Sequence, residues 1–429
     1  MEHDQFLHKA FIHKAFFSLW RCTGTQIAIC ELHRPMYENN TGDIKMKTIL
    51  MIGALTVTGI QGAQAVDFKA GDWNASIGGI VNAYYTQVSC NGDAVGGLAL
   101  GSKGLGCGDE NNRTTIGNGL LPNGLVTSAT SKQGDYDVKA LIGIYNATAT
   151  DSAIAVNSGV DVRQAYFTFG NAQMGTIKLG RDNGIFGAGA IFSDMTLIGA
   201  GAPVQATQRG RVTLGHIGAG YSYVGYYGQI AYSAPKSASG IGFDAALVSP
   251  VADTPIVAAP VYSSKSSPQV QAQLSYAVDG FKGWLGAKSQ KFSATAPGVR
   301  DFTMTGVEAG ASYQVGPLGV LANFQGGKGL GILSDADQGD TKSKAYFVQA
   351  TYKTADKVKV GLSYGISRND DNTAGTGGLK SNANLTCGVY YSMTSAITLV
   401  GEIGQTRSKG FAGGEGKMNG ASLGGIIFF

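Results

Sequence analysis

Lys357-Val358-Lys359-Val360-Gly361-Leu362-Ser363-Tyr364-Gly365-Ile366-Ser367 alternates from end to end. Val358, Val360, Leu362, Tyr364 and Ile366 share one parity, and Lys357, Lys359, Gly361, Ser363, Gly365 and Ser367 share the other. Period two belongs to a β-strand, whose successive side chains point to opposite faces. One face here suits hydrocarbon and the other suits water. The pattern recurs at 269–278, where Val270, Ala272, Leu274, Tyr276 and Val278 oppose Gln269, Gln271, Gln273 and Ser275. It returns at 380–391, where Leu385, Cys387, Val389 and Tyr391 oppose Asn384, Thr386, Gly388 and Tyr390.

Working outward, the alternation extends from Trp73 to Phe429 and predicts strands at 73–88, 123–132, 135–146, 161–170, 174–182, 222–234, 240–249, 267–278, 281–294, 302–315, 318–329, 343–354, 357–368, 379–393, 395–408 and 416–429. Short links (Gln133-Gly134, Asp279-Gly280, Gly316-Pro317, Ala355-Asp356) alternate with long ones at 89–122, 147–160, 183–221, 250–266, 330–342, 369–378 and 409–415. That rhythm is the signature of a transmembrane barrel with short periplasmic turns and long external loops. An open sheet edge in hydrocarbon would strand N–H and C=O groups at several kcal/mol each, so the sheet must close. The expected fold is all-β: a transmembrane antiparallel β-barrel of 16 strands, first pairing with last. Lys357, Lys359 and Glu402 fall on lumen parity, as a lipid face requires. Tyr84, Tyr85, Tyr276, Phe281, Tyr352, Tyr391 and Phe429 suit aromatic girdles at strand ends.

Composition agrees. Charged residues make up 14% of the chain, against about 25% in soluble domains. Mean hydropathy is +0.02, as alternation produces. No apolar run reaches the roughly 20 residues of a spanning helix; the longest, Ile49 to Ile60, is interrupted by threonine. Residues 66–429 carry 27 basic and 24 acidic groups without a basic run, which argues against nucleic acid as a partner. A soluble propeller would repeat at blade period, and no such repeat is present.

The segment Lys45-Met46-Lys47, the apolar stretch from Thr48 to Ile60 and Ala63-Gln64-Ala65 form a signal peptide over 46–65, with cleavage between Ala65 and Val66. Residues 1–45 then read as upstream sequence ahead of a true start at Met46. They hold four of the five His and two of the five Cys, including the near-repeat Leu7-His8-Lys9-Ala10-Phe11 and Ile12-His13-Lys14-Ala15-Phe16. Of the remaining cysteines, Cys90 and Cys107 flank a Gly-rich stretch and are expected to staple one surface loop. Cys387, on lipid parity, reads as a small apolar filler. Neither a metal site nor a cofactor is expected.

Residues 161–203 carry Val162-Arg163-Gln164-Ala165-Tyr166-Phe167, then Gly175-Thr176-Ile177-Lys178-Leu179-Gly180-Arg181-Asp182, then Asp194-Met195-Thr196-Leu197-Ile198-Gly199. This resembles the Gram-negative general diffusion porin family, in its trimeric proteobacterial branch. The likeness continues through Leu214-Gly215-His216-Ile217-Gly218 and Gln229-Ile230-Ala231-Tyr232 to a terminal Phe429. It implies a homotrimer in the outer membrane, a third external loop folded into the lumen, and a terminal Phe429 read by the barrel-assembly machinery. The family's Pro-Glu-Phe-Gly-Gly loop motif is absent here.

A porin performs no chemistry; its selectivity comes from fixed charges at a constriction. The expected constriction residues are Asp182 and Asp194 with loop 183–221, Arg163 on the facing wall by resemblance, Lys139 and Lys178 on lumen parity, and Arg209 and Arg211 at the end of the loop. Arg181 shares parity with Ile177 and Leu179, which points to a strand end or a subunit contact. Few loop acids and several wall bases predict weak anion preference in a channel for small hydrophilic solutes and ions. A substrate-specific channel for a sugar or an anion is the alternative, with Tyr221, Tyr223, Tyr226 and Tyr227 as its aromatic candidates. A barrel enzyme is the remote one: residues 66–429 contain one His, His216, which reads as a satisfied loop residue, and no Gly-x-Ser-x-Gly nucleophile elbow is expected.

Overall fold

The computed structural model describes residues 65–148, 160–201, 213–250, 262–264 and 267–429. The predicted signal segment before Ala65, Arg209 and Arg211 lie outside them. The strands are β1 (Val66–Ala70), β2 (Trp73–Gly92), β3 (Asn112–Gly117), β4 (Asn123–Gln133), β5 (Tyr136–Asn146), β6 (Asp161–Asn171), β7 (Gly175–Asn183), β8 (Tyr226–Ser233), β9 (Ile241–Val248) and β10 (Tyr262–Ser263). They continue as β11 (Gln269–Val278), β12 (Phe281–Ala294), β13 (Phe302–Val315), β14 (Leu318–Lys328), β15 (Lys342–Ala355), β16 (Val358–Asn369), β17 (Leu379–Ser392), β18 (Ile397–Gly410) and β19 (Glu415–Phe428). Two short helices, α1 (Lys103–Cys107) and α2 (Ala188–Ile191), and a 3₁₀ turn at Met195–Ile198 lie between strands. No helix among the described residues is long and apolar enough to cross a membrane.

All the strands join one antiparallel sheet that closes on itself. β19 pairs with β2 from Gly416 opposite Gly92 to Phe428 opposite Ile80, so the last wall strand seals against the first. Setting aside short β1, β3 and β10, the wall has 16 strands. These three were not foreseen. β1 continues the β19 edge along β2, from Val66 opposite Ile77 to Ala70 opposite Trp73. Between them the Gly79 N–H donates to the Phe429 carbonyl at 2.7 Å, and the Phe429 N–H returns a bond to Gly79 at 3.1 Å. β3 covers Tyr84 to Ser89, beyond the reach of β4 on the same edge of β2.

The core is inverted relative to a soluble protein. Ile403, Leu423 and Leu362 are 61%, 68% and 53% exposed on the outer face, while Gln271, Asn382 and Thr386 are buried on the inner one. Bulky apolar residues facing out from a closed sheet identify hydrocarbon as the outer solvent. Cys387 lies on that outer face. Turn chemistry sets the register: Asp279 and Gly280 both take positive φ, as a tight two-residue hairpin turn needs.

Two expectations need correction. Tyr84 does not join a lipid girdle; neighbours in a strand face opposite ways, and only Tyr85 faces out, while buried Tyr84 donates its hydroxyl to the Ile198 carbonyl at 2.7 Å. The strand expected from 222 begins instead at Tyr226. Gly225 takes positive φ, and the Tyr223 N–H bonds the Leu333 carbonyl rather than a ladder partner.

Candidate permeation site

The segment between β7 and β8 is stapled at its base, where the Gly184 N–H donates to the Gly225 carbonyl at 3.1 Å. From there its backbone donors meet inner-face side chains one after another. Ile185 and Phe186 donate to Gln271 Oε1 at 2.7 and 3.0 Å. Gly187 donates to Glu308 at 2.8 Å, Met195 to Gln349 at 2.6 Å, and Ser222 to Gln325 at 2.8 Å. Ala200 and Gly201 both donate to Glu402 Oε2, at 2.8 and 2.7 Å. A chain without regular structure cannot satisfy its own backbone, so wall carboxamides and carboxylates complete it.

Asp194 is the hinge pin of this segment. Its Oδ1 caps the 3₁₀ turn, accepting from the Thr196 N–H and hydroxyl at 2.8 Å each. Its Oδ2 accepts from Tyr221 at 2.6 Å and meets His216 Nδ1 at 3.0 Å. Burial pushes the Asp194 carboxyl up, but the His216 ring and these donors outweigh it and hold it below its ordinary value. Only 4% of the residue is exposed, so its charge is spent inside the segment.

His216 Nε2 meets Ser363 Oγ at 3.2 Å, completing an Asp194–His216–Ser363 chain. Ser363 is the centre of Gly361-Leu362-Ser363-Tyr364-Gly365, so the Gly-x-Ser-x-Gly pattern is present in the sequence, contrary to the expectation of none, although not as an elbow. The arrangement has the connectivity of a hydrolytic triad without its access. His216 and Ser363 are 0% and 1% exposed. Ser363 sits mid-strand, not on a strand-to-helix elbow. The two glycines serve packing: a side chain at Gly361 would strike Met195 Sδ, and one at Gly365 would strike the Ala219 carbonyl. The pattern marks where the segment docks on β16.

The remaining expected residues gather on β5 to β7. Lys178 Nζ lies 2.5 Å from Asp182, which also accepts from Gln164 at 2.9 Å. Arg163 Nε donates to Asp161 at 2.8 Å, with its guanidinium 5.8 Å from the Tyr145 ring and 5.5 Å from the Tyr226 ring. Lys139 is half-buried and, among the described residues, has no acid within ion-pair distance. Arg181 faces outward near the end of β7, where Nε donates to the Val162 carbonyl at 3.1 Å. Tyr221 is consumed by Asp194 and Tyr227 packs against Ile185, Ala231, Ala246 and Val248, which leaves Tyr226, beside Arg163, and Tyr223, whose ring is 6.4 Å from that of Tyr226. Cys90 and Cys107 are joined by a disulfide that ties α1 to β2.

The Gram-negative porin family model matches residues 48–410. The chain belongs to the Gram-negative porin family. Among solved structures, this porin is similar to the outer membrane channel DcaP of Acinetobacter baumannii (17% identity, TM-score 0.62, covering 84% of this chain and 99% of that one). It is similar to an anion-selective porin from Comamonas acidovorans at 16% identity and TM-score 0.59, covering 83% of this chain and 100% of that one. Salmonella typhi OmpF, in complex with daunomycin, matches at 15% identity and TM-score 0.56, over 85% of this chain and 100% of that one. These likenesses speak for the fold. No curated protein matches the sequence. The porin is an outer-membrane diffusion channel, which the closed wall and its apolar exterior explain physically.

Proposed function

We propose that this porin is a general channel for small hydrophilic solutes and ions with weak anion preference. The observation that carries the reading is an imbalance of available charge. Asp194, Glu308 and Glu402 are buried and occupied by donors of the 184–225 segment. On β5 to β7, Lys178 is offset by Asp182 and Arg163 by Asp161, which leaves Lys139 in excess. The segment, inserted toward the lumen, narrows the channel against that wall. Fixed charge at a narrow point biases permeant ions, and one uncompensated cation gives a mild bias.

The same reading has the signal cleaved between Ala65 and Val66, the terminal Phe429 presented to the assembly machinery, and the mature barrel working as a homotrimer. The deciding measurement is the reversal potential of purified protein in planar bilayers under a KCl gradient. Wild type is expected slightly anion-selective, and Lys139→Glu with Lys178→Glu is expected to move the potential to the cation side. Clear cation selectivity of the wild type would overturn the proposal. Conductance block by one sugar at low concentration would favour the substrate-specific alternative, with Tyr226 and Tyr223 as its contacts.

A further inference from the structure

The connection between β14 and β15, residues 329–341, reaches a distant part of the inner wall. Asp335, near its middle, meets Lys288 on the buried face of β12, Oδ1 to Nζ at 2.5 Å, with both side chains 2% exposed. β13 stands between β12 and β14, so the connection crosses the inner face of β13, about 10 Å from its own strand. Gly306 on β13 leaves the room for it. A side chain there would crowd Leu330, Lys288 and Phe186 together.

The same ion pair is wired into the 184–225 segment. Asp335 Oδ2 accepts from Gln269 at 2.9 Å, and Gln269 accepts from Gln271, whose own Oε1 receives Ile185 and Phe186. Lys288 Nζ lies 4.6 Å from the Phe186 ring, and the Leu333 carbonyl accepts from the Tyr223 N–H at 2.9 Å. Asp337 shapes the turn that makes this possible. Its carboxylate accepts from Ile332 at 2.9 Å, Leu333 at 2.7 Å and Ser334 at 2.8 Å, all through backbone N–H groups. Ile332 and Leu333 are thereby pressed onto Gly218 and Leu100, where a side chain in place of glycine would strike Leu333. All four residues are buried. Two large aliphatic side chains at a wet pore mouth escape water only where neighbouring segments cover them. A buried ion pair adds little net stability but fixes geometry, because losing one partner strands the other charge.

We propose that residues 329–341 form a second pore-narrowing segment, latched by Asp335 to Lys288, which sets the size limit of the channel jointly with 184–225. The two segments close the lumen along β12 to β16. Solutes are confined to the side of β4 to β8, past Lys139. Asp335 and Lys288 are positioning residues: their charges cancel, and they act on permeation only by holding the segment down. The inference rests on the channel reading and is independent of the sign of ion selectivity.

The test is swelling of proteoliposomes in isotonic neutral sugars of increasing size, using variants whose folding is checked by heat-dependent gel mobility. Neutral sugars do not respond to fixed charge, so the readout follows width. Asp335→Ala is expected to raise the raffinose-to-arabinose rate ratio by about threefold or more, since an unpaired Lys288 drives the segment off the wall. Asp337→Ala, which loosens the turn and leaves the ion pair its partners, should raise the ratio by a smaller factor. Lys288→Met with Asp335→Leu puts an apolar contact beside Phe186 and should keep the wild-type ratio. An unchanged ratio in the folded single variants overturns the inference, and so does an apolar double variant as permissive as Asp335→Ala. Should Asp335→Ala not fold, Asp337→Ala carries the test alone. A wild type that passes neither arabinose nor ions refutes the channel, whereas a conducting wild type with unchanged variants refutes the second segment alone.

Discussion

At the scale of the residue, Asp194 and Lys139 part company: one charge is enclosed and the other stays open. Both are ionisable and both were expected at the constriction, yet Asp194 is enclosed by Thr196, His216 and Tyr221 while Lys139 keeps no acidic partner among the described residues. Asp194→Asn should cost about 2 kcal/mol, because donors in a buried network lose their ionised acceptor. Urea unfolding read by gel mobility measures it, and open-channel noise should rise as the segment loosens. The pH dependence follows from the sign of the shift. The folded carboxyl sits below its ordinary value. Its contribution is complete above about pH 3.9 and is lost as pH falls through the lower folded value. The part of the noise that Asp194 controls should therefore stay level from neutral pH down to that point, read as the difference between wild type and Asp194→Asn. Ser363 should resist fluorophosphonate labelling, since burial denies the reagent its hydroxyl. Labelling there would revive the enzyme reading.

At the scale of the element, parity governs. Leu362 stands outward on β16 between inward Gly361 and Ser363. Leu362→Lys should cost about 2–4 kcal/mol if the site lies near the bilayer midplane. Folding titrations into liposomes would register it, whereas Ser363→Thr on the other face should spare insertion. The Cys90–Cys107 bridge closes a separation of 17 residues. Reducing it should lower stability by about 3 kcal/mol on the chain-entropy account. A lower heat-modification temperature for a barrel that still conducts is the expected result. Period two showed which strand faces meet lipid, but it could not reveal β3. That strand exists because β2 outruns β4 and needs another partner along Tyr84 to Ser89.

At the scale of the whole molecule, closure is the organising fact. Phe429 bonds Gly79 in both directions, and the end of β19 lies on β2 just beyond the β1 pairing. Phe429→Ala should keep those backbone bonds but lose the terminal ring. The expected outcome is less folded protein in the outer membrane with unchanged conductance per channel. Immunoblots of membrane fractions beside bilayer recordings would check it, and a normal yield would refute the assembly role proposed for Phe429.

The sequence by itself determined the alternation, the sixteen wall strands, the sidedness of Glu402, Lys359 and Cys387, and the resemblance that named the family. It could do so because hydrocarbon imposes its rule on every second residue, and such a rule is readable locally. Only the tertiary structure decided that Tyr84 turns inward, that Gly361-x-Ser363-x-Gly365 is a docking site, and that Asp194 anchors rather than faces the lumen. Those outcomes depend on which distant wall residue lies opposite each loop atom. Backbone donors such as those of Phe186 and Ala200 must find acceptors on strands 85 to 202 residues further along the chain, and no local period encodes that choice.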